Sequence, residues 1–205
     1  MSDAYYWHDP EAFEFVLSRN DVDTVALEQY REVLASRPPK TELPKWLGDC
    51  GTMQFQFLLD FGSFRDLQRQ RSVTQRMPLL TTDIGFHPWY LEELTPELRR
   101  EAEDLLASQQ VRINALRVSK EVEQYYIPMG YLTANSFSGD LPAMTYITEL
   151  RVTRFVYPTL RIQAARMADA LQLAFGETGY VLHLDPEPDR FDVKRGEHDI
   201  VKQTA

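Results

Sequence analysis

A single cysteine, Cys50, stands among 205 residues, which excludes an intrachain disulfide and any Cys-rich metal site. Nucleophilic use of that thiol needs a base partner that the neighbouring sequence does not supply, so an inert, partly buried cysteine is expected. The four histidines, His8, His87, His183 and His198, lack close metal-ligand spacing, so no metal is expected. Positive charge is short, with 22 Lys plus Arg against 31 Asp plus Glu and a formal net charge of -9. That balance argues against a general grip on a nucleic-acid backbone and leaves room only for a local basic pocket. No apolar run is long enough to span a bilayer, and "MSDAYYWHDPEAF" lacks the basic and apolar regions of a signal peptide, so a cytoplasmic protein without a membrane partner is expected. Phosphate loops, dinucleotide fingerprints and G-x-S-x-G elbows are missing as well.

What is present is an ordinary globular composition, 43% hydrophobic, with 11 Phe, 10 Tyr and 3 Trp to fill a core or a subunit face. The expected architecture is one α+β domain over residues 1–205, with a helical arm over 1–45 and a polar tail over 185–205. In "TMQFQFLLDF", Met53, Phe55, Phe57, Leu59 and Phe61 fall on one side of an extended chain and Gln54, Gln56 and Asp60 on the other, the pattern of a half-buried strand. Residues 10–36 read as two short helices split near "RND", the second capped by Asp23 or Thr24. Gly62 permits a turn, and Ser63 is positioned to cap a helix carrying "FRDLQRQ". Thr95 followed by Pro96 starts the longest helix, running to about residue 118, with an apolar side of Leu94, Leu98, Ala102, Leu105 and Ile113. The stretch "ANSFSGDLP" reads as a turn region, and Ala143 through Arg154 as a helix. A further helix from Pro158 carries Leu160, Ala164, Met167, Leu171 and Ala174 and stops at Gly176. "YVLHL" at 180–184 suggests a late strand.

One local feature runs against the acidic balance. "RDLQRQRSVTQR" concentrates Arg65, Arg69, Arg71 and Arg76 between the strand and an apolar exit, "MPLL". If the helix ends near Gln70, Arg69 and Arg71 converge on an anion from a helix end and the loop beyond it; the competing reading is a solvated face with Arg65 paired locally. Guanidinium forks suit phosphate because their donors match two oxygens and their charge persists at physiological pH. A second group, "TELRVTRFVYPTLR", holds Arg151, Arg154 and Arg161, with Arg161 equally able to face water.

Together, "FRDLQRQRSVTQR" and "ITELRVTRFVYPTLRIQAARMADAL" resemble the flavin-dependent (alternative) thymidylate synthases, particularly the divergent second half of tandem members, over about residues 45 to 175. The family signature is Arg-His-Arg, a Ser, an Asn-Glu pair, a Ser and an Arg. Arg69 and Arg71 match the two arginines and Thr74 matches the first serine, while Gln70 replaces the histidine. Met77, Leu79 and Thr81 stand where the glutamate, the later serine and the final arginine belong. Asp49 and Cys50 fall where members often carry Glu and His. Arg65 matches a basic position one helical turn before the signature, and Arg151 an arginine that helps hold the uracil nucleotide. Phe155, Tyr157 and Thr159 replace a His, a Gln and a Glu.

The resemblance implies an α+β fold with an antiparallel or mixed sheet packed against long helices. It also implies a homo-oligomer, tetramer or dimer, in which FAD and a deoxyuridylate-like nucleotide meet and reduced flavin delivers hydride after methylene transfer from folate. On this reading Arg65, Arg69, Gln70, Arg71 and Thr74 bind FAD, while Arg151 and Arg161 bind substrate. The catalytic residues are not identified. Loss of the nucleotide-facing half of the motif implies weak or lost synthase activity in this nucleotide-biosynthesis methyltransferase chemistry. The alternative is a structural or regulatory oligomerisation module, possibly beside a catalytically complete homologue, with Tyr125, Tyr126, Tyr131 and Tyr146 covering a partner face.

Overall fold

The computed structural model describes Trp7 and residues 10–185. They form two compact units: a sheet unit of residues 10–22 and 51–140 with Trp7, and a helical unit of Asp23–Cys50 and residues 141–185.

The sheet unit holds four strands, β1 (Phe15–Asn20), β2 (Thr52–Asp60), β3 (Thr74–Arg76) and β4 (Leu132–Asp140), in the order β1-β2-β4-β3. Every pairing is antiparallel. The alternation read in the sequence holds along β2, where Met53, Phe55, Phe57 and Leu59 are buried and Gln54 and Gln56 are partly exposed. On one side the Phe15 ring lies tilted 5.6 Å from Phe55 and stacked 6.2 Å from Phe57. Phe137 of β4 lies opposite Phe55 and Gln75 in register, and is 1% exposed. Each such aromatic contributes roughly 1.5–3 kcal/mol through the apolar surface it removes from water.

The first of the two helices expected in residues 10–36 is β1, so the N-terminal arm is not wholly helical. Its apolar cluster, Phe15, Val16 and Leu17, has no helical period, and pairing with β2 decides its form. The expected turn "ANSFSGDLP" is mostly β4, a central strand between β2 and β3. Asn135 and Ser136 are buried there, so polar composition resembling a loop is overridden by strand pairing on both edges.

Helix α3 (Phe61–Leu67) leaves the end of β2 directly. Its cap is Asp60 rather than Ser63: Asp60 Oδ2 accepts from the Ser63 amide at 2.8 Å and from the Tyr90 hydroxyl at 3.1 Å. Phe64 and Leu67 anchor the helix inward. Beyond it lie α4 (Pro88–Glu92), α5 (Pro96–Asn114) and α6 (Lys120–Glu123). Thr95 caps α5 and Pro96 opens it, as the sequence indicates, but the helix ends at Asn114. Its expected apolar side is displaced: Leu98 and Leu105 are exposed, while Ile113 and Leu106 join Leu80, Ile127, Tyr131, Phe61 and Phe86 in a satellite core. Tyr131, which the oligomerisation alternative would place on a partner face, belongs to that core.

The helical unit contains α1 (Thr24–Glu28), α2 (Arg31–Ala35), a 3₁₀ turn (Lys45–Cys50), α7 (Leu141–Arg151) and α8 (Pro158–Phe175). Asp23 caps α1 by accepting from the amides of Val25 and Ala26. The stripe Leu160, Ala164, Met167 and Leu171 on α8 is buried, and Gly176 takes the C-cap position. Residues 180–184 are extended but form no strand; the Val181 carbonyl instead receives the Arg37 guanidinium at 2.9 Å. The polar tail expected over 185–205 lies outside the described residues except for Asp185. Among the described residues no helix is long and apolar enough to cross a membrane.

Candidate functional site

The guanidinium-rich segment is the link from α3 to β3. Because α3 ends at Leu67 with Gln68 as its cap, Arg65 lies in the last helical turn and Arg69 lies beyond the helix. The Arg65 guanidinium rests on Met129, Nη1 to Sδ 3.5 Å. Arg69 approaches Asp66 at 3.8 Å, with 73% of the arginine side chain exposed, a contact that water and salt screen to little net stability. Arg71 is exposed and makes no ion pair or side-chain hydrogen bond among the described residues.

This turn is held from beneath. Gln75 Nε2 donates to the carbonyls of Leu67 at 2.6 Å and Gln70 at 3.2 Å, tying the helix end to the turn beyond it; the Leu67 carbonyl also accepts from the Gln70 amide at 2.9 Å. Gln75 is paired with Phe137 of β4, so the sheet fixes where Arg69, Gln70 and Arg71 emerge. Thr74 and Arg76 flank it and point to the opposite face, as strand alternation requires. On that face the register places Ser138 beside Thr74 and Ser136 beside Arg76, with Gln54 and Gln56 next in line. Gln54 Nε2 donates to Ser136 Oγ at 2.6 Å. Arg76 stacks over Trp7 at 5.7 Å. The result is a set of exposed cations at the end of α3, Arg65, Arg69 and Arg71, whose forked donors suit phosphate, while the amides and hydroxyls of the sheet lie on the face away from Gln75, where Ser136 is buried.

Nearby, His87 caps α4: its Nδ1 accepts from the Trp89 amide at 3.2 Å. Burial pushes its pKa below the ordinary imidazole value, outweighing the upward pull of Asp60 and Glu92. The unfolded chain therefore takes up this proton first on acidification. The stabilisation is complete above about pH 6.5 and is lost as pH falls towards the depressed folded value. Urea midpoints are expected to drop through this window, with a smaller drop in His87→Asn, which keeps a cap acceptor without titrating. Equal drops in the two proteins would remove His87 as the cause.

Arg151 and Arg161 belong to the helical unit. Arg151 closes α7, and Arg161, in the first turn of α8, donates Nε to the Val152 carbonyl at 2.8 Å. Part of its donor capacity thus ties the α7 end to α8.

The same unit carries a cleft of about 690 Å³ that the sequence reading missed, bounded by the loop at 37–43, one side of α7, the turn at 153–155 and the segment at 183–185. A buried ion pair joins these walls. Arg37, its side chain 3% exposed, makes a two-pronged contact with Glu149 and also donates to the carbonyls of Thr41 at 2.6 Å and Val181 at 2.9 Å. Glu149 accepts in addition from the His183 amide at 2.7 Å, and His183 donates its ring Nε2–H to the Arg37 carbonyl at 2.8 Å. Deeper in, Thr145 donates to the Leu141 carbonyl at 2.7 Å and so accepts from the Tyr180 hydroxyl at 2.8 Å. Burial raises the Tyr180 pKa, keeping that donor protonated. At the rim Arg154 pairs with Asp185, Nε to Oδ2 3.2 Å, and lies 5.9 Å over the Phe155 ring. Gln75 has no sequence signal, since Thr74, Gln75 and Arg76 are all polar. Arg37 and Glu149 have none, because they are 112 residues apart.

No family model matches the chain. It is 34% identical over 104 residues to a UPF0159 protein of Chlamydia pneumoniae, covering 50% of this chain and 19% of that protein. A UPF0159 protein of Chlamydia muridarum is 35% identical over 105 residues, covering 50% and 20%. Another, of Thermoplasma acidophilum, is 30% identical over 148 residues, covering 71% and 29%. The matched region thus spans 19% to 29% of the length of these relatives, whose names state neither ligand nor reaction.

Proposed function

We propose that the chain is a divergent relative of the flavin-dependent thymidylate synthases that binds FAD, and a deoxyuridylate-like nucleotide with it, while its synthase activity is weak or lost. The single observation carrying this reading is the exposed group Arg65, Arg69 and Arg71 at the end of α3, with the turn that bears Arg69 and Arg71 held by Gln75. Arg69 and Arg71 clamp the diphosphate, Gln70 and Thr74 add neutral hydrogen bonds, and Arg65 sets the near edge. Bound flavin supplies the redox chemistry; the residues of this chain bind and orient it. Met77 and Leu79 lack the polar groups needed to polarise a uracil ring, and the loss of one such donor typically costs about 3 kcal/mol of transition-state stabilisation. Arg151 and Arg161 are assigned to an anionic substrate, and a homo-oligomer is the expected assembly.

Titration of the purified chain with FAD, followed by flavin absorbance, tests this. Saturable binding is expected, weakened roughly tenfold to a hundredfold by Arg71→Ala, the loss of one charge-assisted contact. A chain that stays colourless with excess FAD contradicts the proposal.

A second reading is a non-catalytic oligomerisation module, alone or beside a catalytically complete homologue. It is favoured by the apolar surface left open at Tyr125, 84% exposed, with Tyr126 and Met129 beside it. A chain that neither binds FAD nor changes its mass on Tyr125→Ser/Tyr126→Ser substitution fits neither reading.

A further inference from the structure

We propose that the cleft of the helical unit is a binding site for a hydrophobic α-amino acid, with Lys40 on the carboxylate, Glu42 on the ammonium group and the side chain against Tyr146 and Phe155. The cleft belongs to the helical unit and the guanidinium turn to the sheet unit, and the proposal stands whether or not FAD binds.

The first observation is a backbone one. Pro38 to Thr41 form a turn closed by the Thr41 amide on the Pro38 carbonyl at 3.3 Å, with Pro39 second and Lys40 third at φ 62°. Glycine or asparagine relaxes that third position, because a Cβ in the left-handed region crowds the neighbouring carbonyl. Lys40 is the one non-glycine residue with positive φ among the described residues. Its side chain is exposed and makes no ion pair or hydrogen bond there, so the fold gains nothing from a lysine at this point. Strain kept at the lip of a cleft points to a group retained for what it holds.

The second observation is the charge pattern. Of the ionised groups lining the cleft, Arg37 is neutralised by Glu149 and Arg154 by Asp185. Lys40 and Glu42 remain, two residues apart on one lip and without ion pairs among the described residues. A simple anion or cation would meet one like charge there, whereas a ligand carrying both charged groups on one carbon satisfies both. Across the cleft the exposed surface is apolar: Tyr146, Leu150, Phe155 and Leu184. The volume lies within the range of about 300–1,000 Å³ usual for small-molecule sites. Because the Arg37–Glu149 contacts tie the walls together, ordering them on binding costs little.

L-phenylalanine is the probe, titrated into the whole chain by calorimetry beside 3-phenylpropanoate, which lacks the ammonium group, and phenethylamine, which lacks the carboxylate. Saturable binding of phenylalanine is expected, with each analogue about tenfold or more weaker. Lys40→Gly and Lys40→Asn are expected to raise the urea midpoint by relieving the turn while weakening phenylalanine about tenfold, and Phe155→Ala to weaken it without altering the preference for both charges. A structural role for Lys40 would lower the midpoint instead. The proposal is overturned by absence of saturation up to about 10 mM, well above any useful affinity. It is equally overturned if either analogue binds as tightly as phenylalanine, or if both Lys40 variants bind it unchanged.

Discussion

Arg37→Met is expected to destabilise the chain by about 3–5 kcal/mol, because it leaves the Glu149 carboxylate largely buried without its counter-charge. It also strips the carbonyls of Thr41 and Val181 of their donor, so the loss reaches the loop after α2 and the segment after Tyr180 as well as α7. Glu149→Leu is expected to cost a similar amount from the other side, with the guanidinium now stranded and the His183 amide without its acceptor. The double variant should lose clearly less than the sum, since removing both charges together leaves neither one buried alone. Urea denaturation of the four proteins measures this cycle. Simple additivity would mean that the two side chains do not act as a pair.

Phe137→Ala is expected to cost about 3–5 kcal/mol, the usual range for truncating a buried phenylalanine. Phe137 is fully packed and stands between Phe55 of β2 and Gln75 of β3, so the cavity opens where the short strand β3 is attached. Phe137→Leu, which keeps most of the volume, should cost much less. If anion binding resides at the turn that Gln75 supports, the alanine variant loses it at urea concentrations that leave its secondary structure intact, because β3 has only three residues to hold it. Uniform loss of structure and binding would place β3 within the same cooperative unit.

The fold was legible where one face of an element is apolar and the other polar. Strand β2 alternates from Met53 to Phe57, and α8 repeats an apolar residue at every turn, so each announces its period and its buried side. Strand β4 does not, because both of its faces are covered and Asn135 and Ser136 are buried within it; its identity comes from β2 and β3 rather than from its own residues. On α5 the leucines at 98 and 105 suggested the wrong side, since periodicity reports that an apolar stripe exists but not whether a partner covers it.

The site divides in the same way. The arginine-rich turn was visible because its residues are neighbours in sequence. Arg37, Glu149 and His183 were invisible because a long-range ion pair leaves no local pattern in either segment. Gln75 was also invisible: Thr74, Gln75 and Arg76 are all polar and show no alternation, and the two carbonyls Gln75 holds follow from α3 ending at Leu67, earlier than the sequence indicated.

The central functional claim is that the guanidinium turn recognises the phosphates of a flavin nucleotide. Its most direct test is a comparison of FAD with riboflavin, which has the same ring and no phosphate, on the wild-type chain and on Arg69→Ala/Arg71→Ala. The expected result is tight, salt-sensitive FAD binding, weak riboflavin binding, and a double variant in which the two ligands become nearly equal. Riboflavin binding as tightly as FAD, or a double variant that still discriminates between them, would contradict it.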